Sequence, residues 1–432
     1  MRISGFTTHD IRFPTSASGH GSDARNVDPD YSCAYVRFYS DDEVLGQGLT
    51  FTIGRGNELC VSAIEILAQK IVGYRLDDFA SDLALVSRLL LGDSQLRWLG
   101  PEKGVVHLAA AAIINAVWDA LAKQAGMPLW QYVSSLAPDR ILEAVDFTYI
   151  EDFIARDEVH DWLADLAPSR GERIERLKNI GYPAYTTSVG WLGYDDAELK
   201  ERLLAAREGG WTHFKLKVGK GIEDDRRRCR LFREVLGQDA TLSIDANQVW
   251  GVSEAIGWVR ALEEFGIHWI EEPTHPDDIV AHGKIAQGIA PIRVASGEHA
   301  HNQIMFKQLL QTGAIAFCQI DACRLAGVNE NLAVMLMARK AGIPVCPHAG
   351  GVGLCEYVQH LSMIDYICIS GSMEDRVIEH AGDLHHHFEE PIIIRNGRYF
   401  PPQAPGYSSD LRQASIDRYL YPSGTYWVSE KD

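Results

Sequence analysis

From about residue 180 onward, short apolar runs recur, each followed by a stretch of helical spacing with a charged face. The runs are PAYTTS, THFKLKVG, TLSIDAN, IHWIEEP, IRVASGE, AFCQIDA, PVCPHAG and YICISG. Between them lie segments such as EDDRRRCRLFREVLG and GVNENLAVMLMARKAG. Strands that alternate with helices imply a parallel sheet, because each return to the same edge needs a crossover. Eight such units are the number that closes a (β/α)8 TIM-type barrel. An open doubly wound sheet is the competing architecture. No G-x-G-x-x-G follows any of the runs, so its dinucleotide-binding form has no support. The α/β barrel is the expected fold.

The first 100 residues have a different texture. The β-rich runs SCAYVRFYS and GQGLTFTIG precede a helical stretch from about 57 to 91. KGVVHLAAAAIINAVWDALAKQAGMPLWQYV predicts a long helix that stops near Gly126, with Pro128 just beyond. This half reads as an α+β domain, and 432 residues accommodate both parts. No apolar run of membrane-spanning length is evident, so no membrane span is expected. The start, MRISGFTTHDIRFPTS, lacks the apolar stretch of a secretory signal. Eight scattered cysteines without a C-x-x-C spacing are expected to be reduced, buried thiols in the cytoplasm. A formal charge of −18 argues against nucleic acid as a partner. It also requires that an anionic substrate be met by cations gathered locally.

The C-terminal ends of the expected strands supply them. Lys217 ends the second run, Asp245 the third, Glu271 the fourth, Glu298 the fifth, Asp321 the sixth and His348 the seventh, one every 23 to 28 residues. That is about one barrel unit, so these side chains are expected to ring the mouth where barrel active sites sit. Any one of the acids alone would pass for a helix N-cap, but six ionisable groups of complementary type at unit spacing are not a set of caps. Asp245, Glu271 and Glu298 are the oxygen-rich set a hard divalent cation prefers, which implies Mg2+, with Mn2+ as a substitute. Lys215 and Lys217 alternate with Phe214, Leu216 and Val218, so both ammonium groups face inward. A desolvated lysine beside a cation loses basicity and becomes a usable base, which makes Lys217 the proton-transfer candidate. Lys215, one layer deeper, suits a substrate oxygen, and Asp321 is placed to orient His348.

KLKVG, SIDANQ, WIEEPT, SGEH, QIDACR and CPHAGGVGL, in this order, resemble the mandelate racemase-like branch of the enolase superfamily, and INAVWDALAKQAGMPLW looks like its capping-domain helix. Within that branch RFPTS, DPDYS, FTIGRGNE, SQLRWLGPEKGVVHLA, GYPAYTTS and EYVQHL are similar to the L-fuconate dehydratases. The resemblance implies an enolase-like chain: an α+β cap from residues 1–142, completed by about 395–432, and a barrel from 143–394. It implies Asp245, Glu271 and Glu298 as metal ligands, and Lys217 and the His348–Asp321 pair as catalytic acid/base groups. Lys215, Asn247 and Glu379 would contact substrate, and Gly21, Ser22, Asp23 and Tyr31 of the cap would close over its polyol tail. The implied reaction is dehydration of a sugar acid, L-fuconate to 2-dehydro-3-deoxy-L-fuconate and water, by C2 proton abstraction, ene-diolate stabilisation and loss of the 3-hydroxyl. A homo-oligomer is implied as well.

Other chemistries stay open on the residues alone. A dehydratase of another sugar acid (galactonate, altronate or arabinonate type) or a racemase would use the same ring. A Schiff-base aldolase would need a lysine and no metal, and a non-catalytic barrel would not keep every member of the ring. His299 and His301 in GEHAH lie near a metal ligand. HHH at 385–387 and RRRCR at 226–230 read as solvated surface, and PHAGGVGL, lacking the Lys-Ser/Thr of a phosphate loop, reads as room beside His348.

Overall fold

The structure is a computed structural model and describes residues 1–429. Three antiparallel strands, β1 (Gly5–Arg12), β2 (Ser32–Ser40) and β3 (Glu43–Thr52), form the cap sheet in the order β1-β2-β3. The helix Gly104–Gln124 lies directly on β3. GQGLT allows this close approach: a Cβ at Gly46 or Gly48 would overlap the backbone carbonyls of Ala116 and Ala112. Contrary to expectation, this helix is long and apolar enough to cross a membrane. The expectation missed it because His107, Asn115, Asp119 and Lys123 interrupt the apolar run. Its residues from Ala109 to Ala122 are buried, between β3 and the helix Gly327–Ala341 of the barrel.

The barrel follows in chain order as β4 (Tyr182–Thr186), β5 (His213–Lys217), β6 (Thr241–Asp245), β7 (Ile267–Glu271), β8 (Arg293–Ser296) and β9 (Phe317–Cys318), all parallel and each beside the next. The seventh expected strand, PVCPHAG, is extended but irregular. Cys346 N–H donates to Cys318 O and His348 N–H to Ile320 O, while Pro344 and Pro347 remove the donors a full ladder needs. The eighth expectation was wrong. YICISG is not a strand: the helix Leu354–Ile364 runs into a π-helical turn over Asp365–Ser370. Tyr366 to Ile369 are buried on all sides, and an apolar run without alternation does not distinguish a buried strand from a buried helix. The closing strand is β10 (Ile378–His380), which pairs in parallel with β4 through Ile378–Ala184 and Glu379–Tyr185.

Two short strands, β11 (Ile393–Arg395) and β12 (Arg398–Phe400), form a hairpin on the other side of β4. The chain then returns to the cap: the Tyr35 hydroxyl donates to Ser409 O and accepts from Leu411 N–H, and Ile11 bridges to Leu420. The boundary expected near 395 thus falls inside the hairpin, and residues 430–432 of that segment lie outside the described residues. All eight cysteines are free and buried. HHH is not a surface run either. His385 pairs with buried Glu356 at 2.6 Å, and His387 stacks on Phe13.

Burial also fixes a charge state. His360 accepts from Trp130 N–H on Nδ1 (3.2 Å) and therefore donates from Nε2 to Ser408 Oγ (3.0 Å), a neutral imidazole. Burial pulls its pKa down to about 3, and burial with help from His268 and Lys215 pulls His213 well below its ordinary value. A depressed folded-state pKa gives stability that is present above pH 6.5 and lost as pH falls toward the folded value. His360 alone is expected to remove about 1.4 kcal/mol between pH 7.5 and 5.5, with His213 acting in the same sense. Urea midpoints at the two pH values measure this, and His360→Gln should flatten the difference.

Candidate active site

Strand register sets the ring. Lys215 pairs with Ser243 and Lys217 with Asp245 across β5 and β6, and Asp245 pairs with Glu271 across β6 and β7. Lys217, Asp245 and Glu271 therefore end three neighbouring strands at one level. Glu298 and Asp321 stand just beyond β8 and β9, and His348 ends the extended Pro344–His348 segment. Among the described residues, Asp245, Glu271 and Glu298 bring ligand oxygens within 4.8 Å of one another, all three side chains buried. Glu298 Oε2 is buried with no hydrogen-bond partner. An orphaned carboxylate oxygen in a trio of acids is what a divalent cation would satisfy, so the residues fit the implied metal.

The two lysines play different parts. Lys215 is fully buried beneath the cavity. Its Nζ lies 2.5 Å from Glu271 Oε1, 2.8 Å from Glu379 Oε1 and 3.4 Å from Asp245 Oδ2. Glu379 is equally committed, since its other oxygen accepts from Ala349 N–H at 2.7 Å. Lys217 lines the cavity, bonds to Asp245 and sits 5.3 Å from the centre of the Trp191 ring. Burial is the largest single influence and would lower its pKa, as the sequence suggested, but Asp245, Asp23 and Glu298 together outweigh it and hold the ammonium above its ordinary value. A cation on Asp245 would offset that field. The three acids are not all shifted in the same direction. Burial and the neighbouring carboxylates raise Glu271 well above the usual range, whereas Lys217 and Lys215 overcome burial at Asp245 and hold it low.

His348 lies at the other end of the trio, its Nε2 3.6 Å from Glu298 Oε2. Its Nδ1–H donates to Asp321 Oδ2 at 2.7 Å, and Asp321 Oδ1 accepts from the amides of Cys323 and Arg324, both at 2.7 Å. Burial acts to lower the His348 pKa, but Glu298 and Asp321 carry it up to about 9. Gly350 N–H approaches Nε2 at 3.2 Å, which suits the neutral ring instead. The Glu298 share of the rise is the part a bound cation removes. The Asp321 bond is independent of any cation and leaves Nε2 facing the cavity.

A cavity of about 370 Å3 joins these groups to the cap. Gly21, Asp23 and Tyr31 line it from the cap, with Asn247, Lys217, Glu298, Asp321, His348 and Glu379 from the barrel. Gly21 has φ +77°, and a Cβ there would overlap the Tyr31 phenol. Ser22 is not part of the lining. Its Oγ donates to Gly19 O and accepts from Gly193 N–H, which ties the cap loop to the barrel. Asn247 presents a buried Oδ1 with no partner.

Two contributors were missed in the sequence. Trp191 follows β4 in an ordinary loop. Arg228, inside the RRRCR that read as solvated, is buried and donates to the carbonyls of Gly190, Trp191 and Tyr194, fixing that loop over the mouth. Its neighbours Arg226 and Arg227 are on the surface, paired with Glu264 and Asp196. Helical periodicity could have flagged it, because Arg228 shares a face with Phe232 and Asp225.

Residues 198–415 match the family described as enolase C-terminal domain-like, and residues 24–133 match the mandelate racemase / muconate lactonizing enzyme N-terminal domain. Mitochondrial enolase superfamily member 1 of Bos taurus is 51% identical over 430 residues, covering 99% of this chain and 97% of its own length. L-galactonate dehydratase of Hypocrea jecorina is 48% identical over 439 residues, covering 100% and 97%. The crystal structure of human mitochondrial enolase superfamily member 1 superposes with a TM-score of 0.97 at 48% identity, covering 99% of this chain and 98% of that one. With a cap, a (β/α)8 barrel and acidic strand ends in common register, the chain belongs to the enolase superfamily, in its mandelate racemase / muconate lactonizing branch.

Proposed function

We propose that the chain is a Mg2+-dependent sugar-acid dehydratase, with L-fuconate as substrate and 2-dehydro-3-deoxy-L-fuconate and water as products. The observation that carries this reading is the placement of Lys217 and the His348–Asp321 pair at opposite ends of three converging carboxylates in one cavity. Asp245, Glu271 and Glu298 would hold the cation, with Mn2+ as a substitute. When bound, it supplies Lewis-acid relief for the negative charge that develops on the substrate carboxylate. Lys217 takes the C2 proton. His348, held through Nδ1 by Asp321, gives a proton from Nε2 to the 3-hydroxyl, which leaves as water, and the enol tautomerises to the 2-keto acid. Lys215 keeps positive charge under the site, while Gly21, Asp23 and Tyr31 shape the end that receives the polyol. On this reading residues 1–142 and the C-terminal segment from about 395 form the cap, and 143–394 the catalytic barrel. Reduced, buried cysteines suit a reducing compartment such as the cytoplasm.

The likeness to L-galactonate dehydratase over the whole chain favours a second reading, L-galactonate. L-Fuconate is the 6-deoxy form of L-galactonate, so the two substrates pose the same stereochemistry at the reacting carbons and differ only at C6. A panel of C5 and C6 sugar acids, incubated with Mg2+ and assayed for 2-keto product by semicarbazone absorbance, tests both. L-Fuconate is expected to give the highest kcat/KM. A higher value for L-galactonate would shift the substrate assignment, and C2 epimers in place of keto acids would overturn dehydration.

A further inference from the structure

Glu272 is a fourth carboxylate beside the trio, fully buried, and used neither by the cation set nor by the proton-transfer pair. Its backbone has φ +43°, and Gln248 on the preceding strand end has φ +69°. Non-glycine residues seldom occupy this region, and the neighbouring structure must hold them there. Here Gln248 N–H donates to Glu272 O at 2.8 Å, and Glu272 N–H to Ala295 O at 3.1 Å. The side chains continue the connection. Gln248 Nε2 donates to both Glu272 oxygens at 2.9 Å. His299 Nδ1 lies 2.8 Å from Glu272 Oε1 and 3.4 Å from Glu298 Oε1. The approach to Glu298 Oε1 is an ion-pair contact, longer than the His299 bond to Glu272, and the other Glu298 oxygen, Oε2, is buried with no hydrogen-bond partner.

We infer that Gln248, Glu272 and His299 form a positioning clamp on Glu298. The clamp engages Oε1 and leaves Oε2 free for the cation. Buried carboxylates are costly unless paired, so a carboxylate kept at this spot needs a role, and orienting a ligating group through its second oxygen is such a role. The inference rests on the proposed Mg2+ site but not on the identity of the sugar acid. Glu272, Glu298 and His299 also lie within 4.8 Å of one another, so a cation held by that set itself is the rival outcome.

Titration calorimetry of Mg2+ into chelator-treated full-length protein decides between them. The clamp gives one ion per chain and a loss of about 10–100-fold in Mg2+ affinity for His299→Leu. His299→Asn, whose side-chain N–H stands near the position of Nδ1–H, should recover most of that loss. Gln248→Ala should weaken binding in the same direction and carries the test if His299→Leu does not fold. In turnover, the Mg2+ concentration for half-maximal rate should rise by the same factor while kcat at saturating Mg2+ stays within a few-fold. Unchanged affinity in His299→Leu and Gln248→Ala overturns the clamp, as does a second ion per chain that His299→Leu removes. Absence of Mg2+ binding in the unaltered protein would instead sink the metal site itself.

Discussion

Lys217→Arg is expected to leave the fold intact and to lower turnover of the sugar acid by about 10²–10⁴-fold, the range that a positioned acid/base group contributes. Arginine keeps a positive charge beside Asp245, which Lys217 bonds, but it does not deprotonate in proteins and cannot take a proton from C2. Lys217→Ala loses the proton acceptor and the charge together, so its loss should be at least as large and accompanied by a change in thermal stability. Comparing the two separates proton transfer from electrostatic support of Asp245. The direct readout is solvent deuterium entering C2 of the substrate or the product, followed by NMR in D2O. A Lys217→Arg enzyme turning over at more than a tenth of the unaltered rate would remove Lys217 from the base role.

The ring was legible because a barrel turns chain spacing into geometry. Parallel register places Lys217, Asp245 and Glu271 at one level, and a charged residue every 23 to 28 positions marks that level in the sequence. Long periodic helices and the β4–β9 runs read correctly for the same reason. The eighth strand did not: β10 is three residues long and follows a buried helical run that is more apolar than the strand itself. Single side chains that act through the backbone were less legible: periodicity could mark Arg228 as buried, but not what it bonds. Arg228 fixes the Trp191 loop by bonding carbonyls, which have no sequence identity. Glu272 directly follows a ligand in WIEEPT, and nothing in that spacing shows the positive φ it adopts or its bonds to Gln248 and His299. Lys215 shows the opposite limit. Alternation placed it inward, but the three carboxylates that satisfy it come from three other strands, and strand alternation carries no information on which groups wait across the barrel.

Glu271→Gln should abolish measurable Mg2+ binding and turnover while leaving the chelated protein about as stable as before. The asymmetry follows from what surrounds Glu271. Burial and the nearby Asp245, Glu379 and Glu298 push its pKa well above the usual carboxylate range, so its charge is poorly tolerated without a cation. Lys215, its main partner, keeps Glu379 at 2.8 Å and Asp245 at 3.4 Å when that charge is removed. With the unaltered protein, Mg2+ at a hundredfold excess over Kd should add about 2.7 kcal/mol of stability, visible as a rise of several degrees in Tm. Glu271→Gln should show no such rise, because an amide offers a neutral oxygen where the hard cation needs charge. Chelation of the unaltered enzyme should stop turnover, and Mg2+ or Mn2+ should restore it. Full turnover in excess chelator, or a Glu271→Gln protein that still gains stability from Mg2+, would mean that the three acids are a charge network balanced by lysine rather than a metal site.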